Sequence, residues 1–388
     1  MTTRPEVIVI GAGFTGCAIA HDLLLRGIGA TVIDRGEIAS GTSGRTHGLL
    51  HSGGRYCVND REAAIECIDE NIILRKIAKQ CIEFNQGFFI ALNDNDLEYA
   101  PQFEKGAQEC HIPIDKIPPQ KALEMEPAMN PNLLAAYLVP DGTFDPLRLA
   151  LAFAAHAKKN GAKFFTYYEA EGLILDGKGN VCGVKIWDRT TDRHIEMKAD
   201  LVINATGAWA GKITEFAGLD VPITPTPGIM VAYDQRLINR VVNRLCPPDD
   251  GDILLPQRRM VVIGTTSFEV EDVDYIPVFE DQVQMMRERA IELVPSVQRT
   301  HMRGAYMAAR PLVGKAQSGR SLARTFKCFD HQDLHGVGGF VTITGGKATT
   351  CRIMAEKTVD VVCAKLNISA ECQTKDIPLI PYYEYYSR

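Results

Sequence analysis

Residues Glu6 to Ile10 form a short apolar run that ends in glycine, the pattern of a buried strand closing on a tight turn. Phe14, Ala18, Ile19 and Leu23 then recur at helical spacing up to Gly27, and a second apolar run from Ala30 to Ile33 ends at Asp34. Helical spacing returns after Asp60, with Ala64, Ile65, Ile68, Ile72 and Leu74 to Ile77 on the apolar positions, and again from Pro146 to Asn160. Between about Gly87 and Asp145 the pattern is shorter and mixed, with turn clusters at Asn93 to Asp96 and Asp141 to Thr143. Strands are predicted over Lys163 to Leu175, Val181 to Trp187 and Ile195 to Asn204, and Val221 to Val270 is rich in β-formers broken by prolines. A last apolar strand, Val337 to Thr344, meets glycines before a helix from about Thr349 to Leu366.

Nucleotide-binding pieces thus stand at the start, middle and end of the chain, with β-rich insertions between them. Residues 1–86, 146–215 and 310–370 are expected to form one discontinuous domain, 87–145 and 216–309 a second, and 371–388 a tail. Between the first strand and helix lies Gly11-Ala12-Gly13-Phe14-Thr15-Gly16. Gly11 permits the tight turn, Gly13 the close approach of a pyrophosphate, and Gly16 the packing of helix on strand, while the helix N-terminus favours negative charge. Asp34 closes the second strand as a ribose acceptor, and Arg35 beside it is counted with the cofactor contacts.

Composition narrows the class. The 388 residues are 46% hydrophobic and 23% charged, values of an ordinary globular chain large enough for two domains. The net charge of −6 comes from 42 basic and 48 acidic side chains dispersed along the sequence, so no basic stripe for nucleic acid is present. The 11 cysteines include no C-x-x-C pair, so no metal site and no iron–sulfur cluster held by this chain is expected. No apolar run approaches the roughly 20 residues of a membrane span. A cytoplasmic location is expected, with contact at the inner face of a membrane left open.

The glycine hexad alone does not separate NAD from FAD. A small-residue loop from Ser40 to Tyr56 lets backbone press against a large flat ligand. Far along the chain, Thr344-Gly345-Gly346-Lys347 sits between a strand and a helix, where free N–H groups stabilise charge on a reduced flavin. The two segments together argue for a flavin contacted from distant parts of the sequence.

Six motifs then occur in one order: His47-Gly48-Leu49-Leu50-His51-Ser52-Gly53-Gly54-Arg55-Tyr56, Pro140-Asp141-Gly142-Thr143 with Asp145-Pro146, Asn204-Ala205-Thr206-Gly207-Ala208-Trp209, Gly264-Thr265-Thr266, Arg310-Pro311-Leu312 and Thr344-Gly345-Gly346-Lys347. In this the chain resembles the FAD-dependent glycerol-3-phosphate dehydrogenases, above all the large flavin-bearing component of the anaerobic bacterial members, to about Asp376. The resemblance implies an α/β fold, α+β overall, of the D-amino-acid oxidase superfamily. A Rossmann-type FAD-binding domain is interleaved with a substrate domain on an antiparallel sheet. It implies that Thr42, Ser43, His47 and Gly48 contact the flavin or pyrophosphate, that Gly207 lies near the dinucleotide, and that the backbone of Ala170 reaches the adenine side. Arg55, Tyr56, Arg310 and Lys347 match the family's substrate site, with His51 beside them. The sequence departs from the family at Pro227-Gly228-Ile229-Met230, where lysine often precedes the glycine, and at Ala348 and Cys351, where larger residues are common. It also runs to Arg388 without the C-terminal domain of longer members.

The chemistry expected is oxidation of sn-glycerol 3-phosphate to dihydroxyacetone phosphate, with hydride delivered to the flavin and electrons passed to a quinone or a partner subunit. Arg55 and Arg310 are expected to hold the phosphate as guanidinium forks. His51 is the candidate base because an ordinary imidazole titrates near 6.5. Lys347 is expected either to stabilise the reduced flavin or to touch substrate. Competing readings are another polyol phosphate, a 2-hydroxy acid, an amine or amino acid, and an electron-transfer protein with no chemistry of its own.

Overall fold

The computed structural model describes residues 4–270, 272–314 and 324–387. Its first sheet runs Phe326–Asp330, Phe340–Gly345, Leu201–Asn204, Glu6–Ile10, Gly29–Asp34, Lys163–Thr166. Five of these strands are parallel, and only the edge strand Phe326–Asp330 is antiparallel to its neighbour. A parallel sheet needs cover on both faces, which explains its nearly unbroken apolar runs. Alternate side chains divide the labour. Val7 and Val9 pack into the core built with helices Phe14–Leu25, Pro146–Lys159 and Cys351–Lys365. Ile8 and Ile10 pack the other way, against Leu173, Val184 and Ile186.

That second layer is a three-stranded antiparallel sheet, Tyr168–Leu175, Val181–Asp188 and Arg193–Lys198. The single strand predicted over Lys163 to Leu175 is therefore two strands in two sheets. Tyr167 takes a left-handed backbone, φ 64°, and turns the chain between them. The run Ile195 to Asn204 divides in the same way, its first part closing the three-stranded sheet and Leu201–Asn204 entering the parallel one. Apolar periodicity is blind to such a break, because both halves are pleated and half-buried.

The remaining large sheet has eight strands, in the order Met302–Val313, Ile223–Tyr233, Met260–Gly264, Ile253–Gln257, Val241–Arg244, Gly87–Ala91, Ala135–Val139, Asp115–Ile117. All its pairings are antiparallel except that of Val241–Arg244 with Gly87–Ala91. Helix Glu280–Leu293 covers one face, burying Met286, Ala290 and Leu293 on Ile229, Val231 and Ile263. The strand Met302–Val313 passes through the boundary expected at residue 310, so Arg310 stands on this sheet and not in the nucleotide domain. Among the described residues no helix is long and apolar enough to cross a membrane.

Helices Arg61–Ile77 and Cys351–Lys365 are tied by a buried ion pair. Arg352 donates to Glu70 at 2.5–3.2 Å, to Glu356 at 2.5 Å and to Thr374 at 3.0 Å. The Arg352 and Glu70 side chains are each only 3% exposed. Removing one partner strands the other charge in a low-dielectric core, which costs about 3–5 kcal/mol. Arg352→Ala is accordingly expected to lower unfolding free energy by about that amount in urea titration. Removing both charges, as in Glu70→Leu with Arg352→Met, is expected to cost less than either single change.

Candidate active site

A cavity of about 1030 Å³ opens where the ends of the parallel strands face the eight-stranded sheet. At one end the turn after Glu6–Ile10 is held tightly. Gly11 has φ 106°, and a Cβ there would lie 2.7 Å from the Ala205 carbonyl oxygen. A Cβ on Gly13 would sit 2.8 Å from Ser43 Oγ, so side-chain-free backbone borders the cavity at the helix N-terminus. Ser43 itself accepts from the Phe14 amide at 3.0 Å and thus caps that helix from a distant loop. Thr42 donates to the Ala309 carbonyl at 2.7 Å and ties the same loop to the eight-stranded sheet.

Asp34 accepts from the amides of Ala12 at 2.7 Å and Gly36 at 2.8 Å, so it shapes the turn as well as facing the cavity. Thr15, Arg35, Ala170, Gly207, Gly345 and Gly346 also line the wall. Gly345 and Gly346 are consecutive left-handed residues, φ 87° and 66°, a bend that a side chain at either position would strain. Gly16 and Gly48, counted with the cofactor contacts, stand behind this wall, Gly16 in the packing role its place in the hexad predicts. Gly16 packs helix on strand, since a Cβ there would reach 1.8 Å from the Gly11 carbonyl oxygen. Gly48 is closed in by Phe144, whose carbonyl oxygen would be 2.5 Å from a Cβ, and its own carbonyl accepts from the Phe144 amide at 2.8 Å.

At the other end the cavity is cationic. Arg310 donates to the carbonyls of Thr226 at 3.3 Å, Pro227 at 3.3 Å and Thr266 at 2.8 Å, and to Thr265 Oγ1 at 2.8 Å. Among the described residues no carboxylate pairs with it. Burial, with Arg324 and Arg55 nearby, pushes its pKa down to about 9. Arg55 differs. It is ion-paired with the buried carboxylate of Asp252 and donates to the Asp249 carbonyl at 3.1 Å. The two arginines expected to hold a phosphate thus differ: Arg55 is ion-paired with a carboxylate, and Arg310 has none among the described residues.

Arg324, which sequence reading missed, supplies another cation on this wall. Its amide donates to Asp60 at 2.8 Å, while its Nη1 is buried with no hydrogen-bond partner among the described residues. No motif surrounds it, and only the fold brings it to Arg310. Lys347 donates to the Arg324 carbonyl at 2.7 Å and stands 5.0 Å above the Tyr56 ring.

Tyr56 in turn lies 5.3 Å from the His51 ring. His51 is 9% exposed, its backbone pinned by Thr349 Oγ1 at 3.2 Å and by Asn71 Nδ2 at 3.0 Å. Burial first, then His47, Lys347 and Arg55, hold its pKa well below the ordinary value of 6.5. Titration near working pH, the ground for choosing it from sequence, is thus not its state, and the imidazole is neutral. Its neighbour His47 accepts from the Leu49 amide through Nδ1 at 3.1 Å, leaving the proton on Nε2. Burial, with Arg55 and Arg310, lowers the His47 pKa to about 3.

A long cavity with bare backbone at a helix N-terminus, a carboxylate at the far end and cations at the near end fits FAD with an anionic substrate. A family model described as FAD dependent oxidoreductase matches residues 6–356. The A subunit of the anaerobic glycerol-3-phosphate dehydrogenase of Haemophilus influenzae is 43% identical over 378 residues, 96% of this chain and 67% of that protein. Its Escherichia coli K12 counterpart is 42% identical over 378 residues, 96% of this chain and 70% of its own. Among solved structures, L-proline dehydrogenase from P. horikoshii superposes with a TM-score of 0.78 at 20% identity, covering 99% of this chain and 98% of that one. The glycerol-3-phosphate dehydrogenase from Bacillus halodurans, complexed with FAD, gives 0.74 at 24% identity, covering 97% and 68%. The chain belongs to the DAO family of FAD-dependent oxidoreductases, in the company of the anaerobic glycerol-3-phosphate dehydrogenases.

Proposed function

We propose that this chain oxidises sn-glycerol 3-phosphate to dihydroxyacetone phosphate and passes the electrons to an acceptor outside itself. The observation that carries the reading is the cationic end of the cavity, where half-buried Arg310 and Arg324 have no carboxylate ion pair among the described residues and line the same cavity as a neutral His51. Bound FAD supplies the two-electron acceptor for the carbinol hydride. The phosphate dianion is held by Arg310, Arg324 and Lys347, which gain the counter-charge that the protein withholds. Arg55, fixed by Asp252, lines the same chamber and orients the carbinol end. A ring nitrogen of His51 accepts the hydroxyl proton as the C–H bond breaks, so proton and hydride leave in different directions. A phosphate seated against Lys347 also offsets one of the charges that, after burial and His47, depress His51.

The backbone carbonyl at Pro227 is one of the four oxygens that orient Arg310, a contact that does not depend on the side chain at that position. The relatives at 42–43% identity are each named as one component of a larger dehydrogenase, which supports a partner subunit for this chain as well. A quinone reached through that partner, at the inner face of a membrane, completes the proposed electron path.

Anaerobic sn-glycerol 3-phosphate is expected to bleach the flavin absorbance of the holoprotein, with glycerol and simple 2-hydroxy acids far slower. Losing one charge-assisted contact costs about 1.5–3 kcal/mol, so Arg310→Ala and Arg324→Ala are each expected to lower kcat/KM by roughly 10- to 100-fold. Undiminished turnover in both variants, or faster bleaching by a hydroxy acid, would overturn the phosphate reading.

The depressed His51 pKa sets the pH profile. Because the imidazole stays neutral as pH falls through 6.5, it adds no acid limb there. The substrate's phosphate monoester, with a second pKa of about 6, titrates in that range, as does Glu66, which burial raises to about 7 near Lys347. In a Glu66→Gln background the logarithm of kcat/KM is expected to fall with a slope of one below about pH 6; a slope of two there would show a histidine titrating normally.

Rapid reduction of an artificial dye by substrate-loaded holoprotein is expected, with negligible reduction of NAD. Quinone reduction is expected only when a membrane fraction or partner is added. Fast substrate-driven formation of hydrogen peroxide by the isolated chain would make it an oxidase.

A further inference from the structure

Asp274 lies in the connection between strand Met260–Gly264 and helix Glu280–Leu293, and so belongs to the eight-stranded-sheet side of the molecule. Its carboxylate nevertheless reaches across the cavity. It accepts from Arg35 Nη2 at 2.6 Å, Trp209 Nε1 at 2.7 Å and Lys212 Nζ at 2.6 Å. All three donors stand on the parallel-sheet side: Arg35 just after strand Gly29–Asp34, Trp209 and Lys212 just after strand Leu201–Asn204. Arg35 also stacks over the Trp209 indole at 4.7 Å, so the donors form one preassembled receptor. Burial works against charge on Asp274, but these hydrogen bonds outweigh it and hold the carboxyl below its usual range.

Next to this polar junction, Val273 is buried against Ala208 and Ala309, with Trp209 and Ile276 packed on them. Residues 273–276 line the cavity at the end that also holds Asp34, Arg35 and Ala170. The segment therefore spans the cavity where the adenosine half of FAD fits.

We infer that residues 272–276 form a strap that closes over the adenosine half of FAD, with Asp274 as its latch. The flavin end is walled by the two sheets, whereas the adenosine end is closed chiefly by the Asp274 carboxylate, 37% exposed, on Arg35 and Lys212, 40% and 52% exposed, with Asp272 a longer second contact to Lys212 at 3.6 Å. Such partly exposed ion pairs are screened by salt and open more readily than a packed core. Opening of the strap is the step that admits and releases FAD, and the latch retains the cofactor without touching substrate.

This rests on FAD binding and not on the substrate assigned above, so its test contains no substrate. Holoprotein is diluted into excess flavin-adsorbing charcoal, and FAD release is followed by the flavin remaining bound. A second reading comes from Trp209, the remaining tryptophan of the pair once Trp187→Phe is introduced, whose emission rises as FAD departs. Asp274→Ala is expected to release FAD roughly ten-fold faster at low salt, the loss equivalent to one charge-assisted hydrogen bond. Lys212→Met, which removes one of the three donors, is expected to fall between. Salt near 1 M, where the screening length is about 3 Å, is expected to accelerate release from the unaltered protein several-fold more than from Asp274→Ala, in which only the longer Asp272–Lys212 pair is left to screen. Glu124→Ala, which removes a surface ion pair with Lys121 away from the cavity, serves as the control. Equal release rates in Asp274→Ala and the control, or the same salt dependence with and without Asp274, would overturn the latch. A strap that merely joined the two sheets would alter the unfolding midpoint and leave flavin release unchanged.

Discussion

A guanidinium buried with no counter-ion among the described residues is the constraint on which the rest of the site depends. Arg310 is held by three carbonyls and one hydroxyl, all neutral oxygens. Such donors and acceptors satisfy its N–H groups without cancelling its charge, so the field persists in the cavity. The cations of this wall act on one another and on the imidazoles: beside burial, Arg55 and then Arg310 depress His47, Arg324 and Arg55 lower Arg310, and Arg55 lowers Arg324. The protein spends its stability on holding cations apart from carboxylates at one point, and an anionic substrate is what restores the balance.

That arrangement requires two sheets to meet with little freedom. Arg310 stands on strand Met302–Val313, His51 follows the two-residue strand Leu49–Leu50, and Lys347 follows strand Phe340–Gly345. Their relative positions are set by cross-ties. Thr42 binds the Ala309 carbonyl, Thr349 the His51 amide, and Asn71 the His51 carbonyl. Each tie joins segments far apart in sequence, which places the reacting groups on rigid supports rather than on a mobile loop. Asn71 and Arg352 act through the same helices, so stability of the Arg61–Ile77 and Cys351–Lys365 pair and geometry of the site are linked.

Asp252 shows how one carboxylate differentiates otherwise similar groups. By pairing with Arg55 it fixes that guanidinium and offsets part of its charge, while Arg310 and Arg324 have no carboxylate ion pair among the described residues. A chamber with every arginine compensated would bind anions weakly, and one with none compensated would be costlier still to bury. The distribution grades the field along the cavity, strongest where the phosphate belongs in the proposed function.

Much of this was legible in the amino-acid sequence by itself. The strand, glycine turn and helix at Glu6 to Leu25, the acid at Asp34 and the bend at Gly345-Gly346 are local, and each has a backbone requirement that few residues satisfy. The ordered motifs brought the family within reach for the same reason. What lay beyond reach depended on contacts between distant segments. Tyr167 splits one apolar run between two sheets, the strand Met302–Val313 crosses an expected boundary, and Gly48 is closed in by Phe144. Arg324 carries no local signature, and Asp252 and Asp274 look like surface acids until the fold delivers Arg55 to one and Arg35, Trp209 and Lys212 to the other. The sequence by itself determined which backbone shapes and charges this chain possesses. Only the tertiary structure decided which charges are buried, and which of them have partners, because desolvation and Coulomb attraction depend on distance in space and not along the chain.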